Sequence, residues 1–139
     1  MNFSRNFLKS FPAILVLAAL AIAFVASRAS TVSPITGTWR GASECVQTTS
    51  PCHDEVNVYR FTEIPGKPNA FSGTASKIVD GKEIQIGTLE WTFDPQWHAL
   101  EAEASGNTFH LVVMGNRLEG TLKTPDKVIY RRIHLQRAD

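Results

Sequence analysis

Three glutamates, Glu90, Glu101 and Glu103, fall on segments that read as neighbouring strands. Paired carboxylates held a few ångströms apart in a desolvated site do acid and base chemistry. Solvent-facing strand positions carry such residues routinely, so no catalytic pair is expected. The histidines, His53, His98, His110 and His134, are scattered over separate segments with no H-x-x-x-H spacing, and a zinc site needs about four ligands. Near Cys45 and Cys52 only His53 and Asp54 could contribute. Neither Ser43 nor Ser72 stands in a G-x-S-x-G turn, the setting of an activated serine nucleophile. The expectation is a protein that is not an enzyme and uses no metal or cofactor. CHDEV, residues 52–56, is the densest polar cluster. Either Asp54 satisfies backbone donors of its loop, or the cluster forms a rim that contacts a ligand.

The cysteines bear on where the chain works. Arg5 and Lys9 precede an apolar run from Phe11 to Ala26, and small residues follow. This is the layout of a secretory signal. Ser27 and Ala29 suit a small-x-small cleavage site, which makes residues 1–29 a signal peptide and residues 30–35 a short spacer. If uncleaved, the segment would be the protein's only tie to a membrane, although the run is short against the ~20 residues of a span. The expected location is periplasmic or secreted, where an isolated cysteine pair oxidises. Cys45 and Cys52, with six residues between them in ECVQTTSPC, are therefore expected to form a disulfide.

Loss of Arg5, Lys9 and Arg28 leaves 11 of the 14 basic residues against 13 acidic ones, a formal charge of −2. Without a basic block, nucleic acid is not an expected partner. The roughly 110 remaining residues suit one domain, residues 36–139, with one core.

Turn signals recur at Pro65-Gly66, Asp80-Gly81, Asp94-Pro95, Gly106-Asn107, Gly115-Asn116 and Pro125-Asp126. The intervening text is rich in Val, Ile, Thr and aromatic residues, and several segments alternate apolar with polar, as strands do. TWRGASECV, VNVYRF, AFSGTASKIV, EIQIGTLEWTF, WHALEAEA, TFHLVVM, RLEGTL and KVIYRRIHL make eight. No segment carries a capped amphipathic helical pattern, so the domain is all-β. A sandwich is conceivable, but short connections and the need to remove exposed edges favour an eight-stranded antiparallel up-and-down meander barrel. Leu89, Trp91 and Phe93 share one face of their strand, and Phe109, Leu111 and Val113 one face of theirs. Val112 and Met114 make the opposite face partly apolar, which suggests a covered surface, a protein partner or a homodimer.

TGTWRG, residues 36–41, enters the first of these strands. It resembles the glycine-x-tryptophan signature of the lipocalin-like proteins, the calycins, and the text from GTWRG through CHDEV and LEGTL to YRR is similar to small exported bacterial proteins with a lipocalin-like domain. The resemblance implies that Trp39, introduced by Gly37, closes one end of the barrel beneath a basic residue of the last strand. Arg131 and Arg132 are both candidates for that cation-π contact. Alternation groups Arg132 with Val128, Tyr130 and His134, and Arg131 with Ile129, Ile133 and Leu135. It further implies a small apolar ligand held between the walls, for which Trp91, Phe93, Phe109 and Tyr130 are the expected contacts. The other function considered is protein binding, as in periplasmic protease inhibitors of the same architecture, with STVSPIT as the inserting arm.

Overall fold

The structure, a computed structural model, describes residues 33–47, 49 and 51–139. The expected signal peptide and its cleavage place lie outside the described residues, as do residues 30–32 of the spacer. Eight strands follow one another: β1 (Gly37–Cys45), β2 (Glu55–Glu63), β3 (Ala70–Val79), β4 (Lys82–Asp94), β5 (Ala99–Ala104), β6 (Asn107–Met114), β7 (Arg117–Lys123) and β8 (Ile129–Arg137). Each pairs antiparallel with the next, and β8 closes on β1 to complete an up-and-down barrel. No helix occurs among the described residues.

Local chemistry makes the turns tight. Asp80 and Gly81 take φ of 50° and 75°, and Ser105 and Gly106 take 51° and 79°. Two successive positive φ values form the two-residue hairpin turn whose twist matches the flanking strands. At the longer β4–β5 connection the Asp94 carboxylate accepts the backbone N–H groups of Gln96 (2.8 Å) and Trp97 (3.3 Å), a side-chain mimic of a backbone turn.

The two-residue period sets the interior. Trp39, Tyr59, Phe61, Phe71, Trp91, Leu100, Leu111, Leu118, Ile133 and Leu135 are buried in one cluster. Tyr59 and Phe61 stack at 15°, and Trp91 stands nearly perpendicular to both. Gly73 makes that arrangement possible, because a Cβ there would lie 2.4 Å from Trp91 Nε1 and 2.6 Å from Phe61 Cε1.

Trp39 is fully buried at one end of the barrel, and its indole N–H donates to the Ile35 carbonyl at 2.8 Å. The cation over its ring is Arg137, 4.3 Å from the centroid, rather than Arg131 or Arg132. Register decides this. Trp39 lies across from Arg137, whereas Arg131, six residues earlier on β8, lies across from Cys45, about 20 Å away at strand rise. Arg132 alternates to the outside and is exposed. Arg137 also donates to the carbonyls of Thr36 (2.7 Å) and Pro34 (2.6 Å). Gly37, at φ 123°, leaves it room: a Cβ there would meet Arg137 Nη1 at 2.7 Å. The Asp139 carboxylate accepts the Thr38 backbone N–H at 2.7 Å, and that bond is the main cause holding its carboxyl below the ordinary value.

The ladder is uneven. β4 spans 13 residues but β5 only six, and they pair only through Thr92–Glu101, Phe93–Leu100 and Asp94–Ala99. Beyond that point β4 keeps its ladder with β3 back to Lys82, interrupted by a bulge opposite Ala75 and Ser76, while its other edge has no paired strand. A seam therefore opens in the wall at the end away from Trp39. On the outer surface Arg60 of β2 grips both carboxylate oxygens of Glu83 on β4. This bond is the largest cause lowering the Glu83 carboxyl to about 2.

Candidate functional site

The strand directions put the β1–β2 connection, the Asp80-Gly81 and Ser105-Gly106 turns and the β7–β8 connection at the mouth opposite Trp39. Beneath them lies a cavity of about 480 Å³, within the usual range for small-molecule sites. Its lining follows from inward strand positions: Ser43 from β1; Glu55, Asn57 and Tyr59 from β2; Ala75 and Lys77 from β3; Ile84 to Leu89 from β4; Ala104, Phe109 and Leu122 from β5 to β7; Arg131 and Ile133 from β8. Phe109 packs on Trp91 with its ring tilted by 53° and the centroids 5.3 Å apart, so the aromatic core forms the floor.

The two sides of this cup differ. On the β1–β2–β8 side Arg131 donates to the Ser43 carbonyl (3.0 Å) and hydroxyl (3.2 Å) and to the His53 carbonyl (3.2 Å). Glu55 lies 3.8 Å from Arg131 Nη2 and 3.6 Å from Lys77 Nζ, and its other oxygen accepts Asn57 Nδ2 at 3.5 Å. Asn57 is buried and also donates to the Ser76 carbonyl. Burial pushes the Tyr59 hydroxyl up to about 12, with Arg131 opposing and Glu55 reinforcing the shift. Tyr59 is therefore neutral at physiological pH and offers a donor. On the β4 side Ile84, Ile86, Gly87 and Leu89 line the cup beside Gln85 and Thr88. Ile84 and Ile86 are 47% and 58% exposed, because the wall that would cover them stops where β5 leaves the seam open.

The disulfide Cys45–Cys52 is formed, with Cα atoms 6.0 Å apart, and it ties the rim loop. Within CHDEV, Asp54 accepts the Cys45 backbone N–H at 2.8 Å and braces the loop, and Glu55 lines the cup.

Of the aromatic residues expected to meet a ligand, Phe109 lines the cup. Trp91 lies under it, buried to 1%. Phe93 packs edge to face on Phe71 and lines a surface depression with Pro34 near the closed end. Tyr130 lies outside the lining, near the Arg131 guanidinium. The glutamates sit on the outer face: Glu90 pairs with Lys67 at 2.9 Å, Glu101 with His110 at 2.8 Å, and Glu103 is exposed. Among the described residues no group of three His, Cys, Asp or Glu could hold a metal. Ser33 to Ile35 of the spacer lie at the closed end, with Ile35 fully buried.

Sequence reasoning considered Glu55 only as part of the CHDEV cluster, missed Asn57 and Lys77 as cup residues and placed Arg131 at the wrong mouth. A signal was present: Arg131 shares a face with Ile133 and Leu135, and Asn57 shares one with Tyr59 and Phe61. A polar side chain in an otherwise apolar inward row is costly to bury unless partnered, so it marks a break in the core. No family model matches the chain, and no curated protein matches it.

Proposed function

We propose that the protein is an exported, lipocalin-like binding module that holds a small, largely apolar molecule in the cup opposite Trp39. The observation that carries this reading is the cup itself: an interior of about 480 Å³ with mainly apolar walls and a few convergent polar groups, the usual composition of a small-molecule site. Eight strands leave an interior that side chains either fill or keep open for one small ligand. Here the half nearest Trp39 is filled and the other half is not. Gly37, Trp39 and a basic residue from β8 at the closed end support the likeness to lipocalins. The disulfide fits export to an oxidising compartment.

The test uses N-phenyl-1-naphthylamine, a neutral apolar dye that fluoresces out of water. It should bind the oxidised protein with one-to-one stoichiometry. A Cβ at Gly87 meets nothing within 4 Å, so Gly87→Trp should fill the cup without disturbing the strand and should lower dye affinity at least tenfold. Unchanged binding by a folded Gly87→Trp protein would place the dye elsewhere and defeat the proposal.

A further inference from the structure

The β4–β5 seam leaves one strand edge open in an otherwise closed wall. The ladder ends at Thr92–Glu101, and from Trp91 back to Lys82 β4 is paired on its β3 side alone. Backbone donors and acceptors along such an edge are a template for a further strand. The next outward pair gives a reason for the break. Two residues on, the same register would set Glu90 directly across from Glu103, and like charges directly opposite destabilise a sheet. Glu90, Glu101 and Glu103 surround this point on the outer surface together with Thr92 and Thr108. Glu90 is paired with Lys67 and Glu101 with His110, while Lys123 lies two strands away from Glu103. With His110 neutral, one lysine faces three carboxylates and the patch stays negative. On its inner side the same edge carries Leu89, Ile84 and Ile86, the last two exposed.

We propose that this edge docks an extended peptide segment of another protein, added to β4 as a strand, with apolar side chains turned inward over Leu89, Ile84 and Ile86 and basic ones outward between Glu90 and Glu103. It goes beyond the small-molecule reading, because it uses a backbone edge and the outer surface and stands whether or not the cup holds a dye. Strand addition takes its affinity from main-chain hydrogen bonds and its specificity from alternate side-chain positions, and here the two faces of the edge ask for different chemistry. A lysine or arginine at the outward place turns the repulsion that ends the ladder into two attractions. An acidic strand would compound that repulsion. A second copy paired edge to edge would bring its own Glu90, Glu101 and Glu103 to the same surface, so the occupant is a different chain.

The probe is a fluorescein-labelled, end-capped peptide of alternating valine and lysine, seven residues long, titrated with the oxidised protein and read by anisotropy. It should bind about tenfold tighter than its isomer with the valines and lysines in separate blocks, and tighter still than an alternating valine–glutamate peptide. Equal binding of the alternating and block peptides would overturn the proposal, as would no binding of either. Glu103→Gln should weaken the alternating peptide about threefold, the size of an exposed ion pair, whereas Glu119→Gln, the same charge change on β7, should leave it unchanged. Equal loss from both would mean attraction to net charge rather than to this edge. Peptides N-methylated at the valines or at the lysines each lose the donors of one peptide edge. At least one of them should bind about tenfold more weakly; if neither does, no ladder forms and the proposal fails. Hydrogen exchange of amides between Lys82 and Trp91 should slow when the peptide binds, and slowing only elsewhere would move the site. Free protein that sediments as a dimer with these amides already protected would show that a second copy covers the edge.

Discussion

At the level of single residues, Arg137 carries the closed end. It covers Trp39, donates to two carbonyls of the incoming chain and lies 3.7 Å from Asp139. Cation-π contact and charge-assisted hydrogen bonds each contribute about 1–3 kcal/mol when largely buried. Arg137→Ala should therefore lower the unfolding free energy in urea by about 3 kcal/mol. Arg132→Ala, at an exposed outer position, should change it by less than about 0.5 kcal/mol; equal losses would mean that the roof is assigned to the wrong arginine. Tyr59 gives a second expectation. Its folded-state value of about 12 lies above the ordinary tyrosine value of 10.0, so the folded protein holds the phenolic proton more tightly than the unfolded chain does. The associated stability is fully present below pH 10 and is lost as pH rises from 10 to 12, on the order of 2 kcal/mol. Alkaline denaturation of Tyr59→Phe beside the native protein isolates this contribution, since all other titrating groups are common to both. The variant should fall less steeply across that window.

At the level of elements, the β1–β2 connection is held in three ways: by the Cys45–Cys52 disulfide, by Asp54 on the Cys45 N–H, and by Arg131 on the His53 carbonyl. Closing so short a loop restricts the unfolded chain by about 2 kcal/mol. Cys45→Ser with Cys52→Ser should lower stability by about that amount, measured by thermal unfolding. Dye affinity should fall as well, because the loop anchors the polar wall of the cup. Loss of stability with dye affinity intact would show that the loop is a staple only. The β3–β4 hairpin depends on a different device. It projects past the seam with one ladder, and the Arg60–Glu83 clamp on its outer face holds it to β2.

At the level of the whole molecule, the barrel is continuous but not uniform. Seven of its ladders run through most of their strands, and the β4–β5 ladder has three pairs. Backbone groups without a paired neighbour open to solvent at low free energy. Hydrogen exchange should therefore find the seam-facing amides between Lys82 and Thr88 fastest among the strands, and those where β8 meets β1 among the slowest. Uniform protection around the barrel would mean that the seam is closed in solution.

How much of this was written in the sequence follows from the range of the forces involved. Alternation along GTLEWTF and TFHLVVM, turn residues such as Asp80-Gly81, and the spacing of Cys45 and Cys52 are local, so strand count, meander order, the inward rows and the disulfide could be read directly. The closed end was legible through Gly37 and Trp39, but its arginine was not. Choosing Arg137 over Arg131 needs the β1–β8 register, a pairing between chain ends that no local pattern encodes. The cup escaped for the same reason. Glu55, Lys77 and Arg131 lie on three strands and meet only after the barrel closes, and the seam exists because β5 is too short to follow β4 to its end. The sequence by itself determined which faces turn inward, since a two-residue period admits only two choices. Tertiary structure alone decided where along those faces the core stops and a cavity begins, because that depends on which side chains closure brings to the same height.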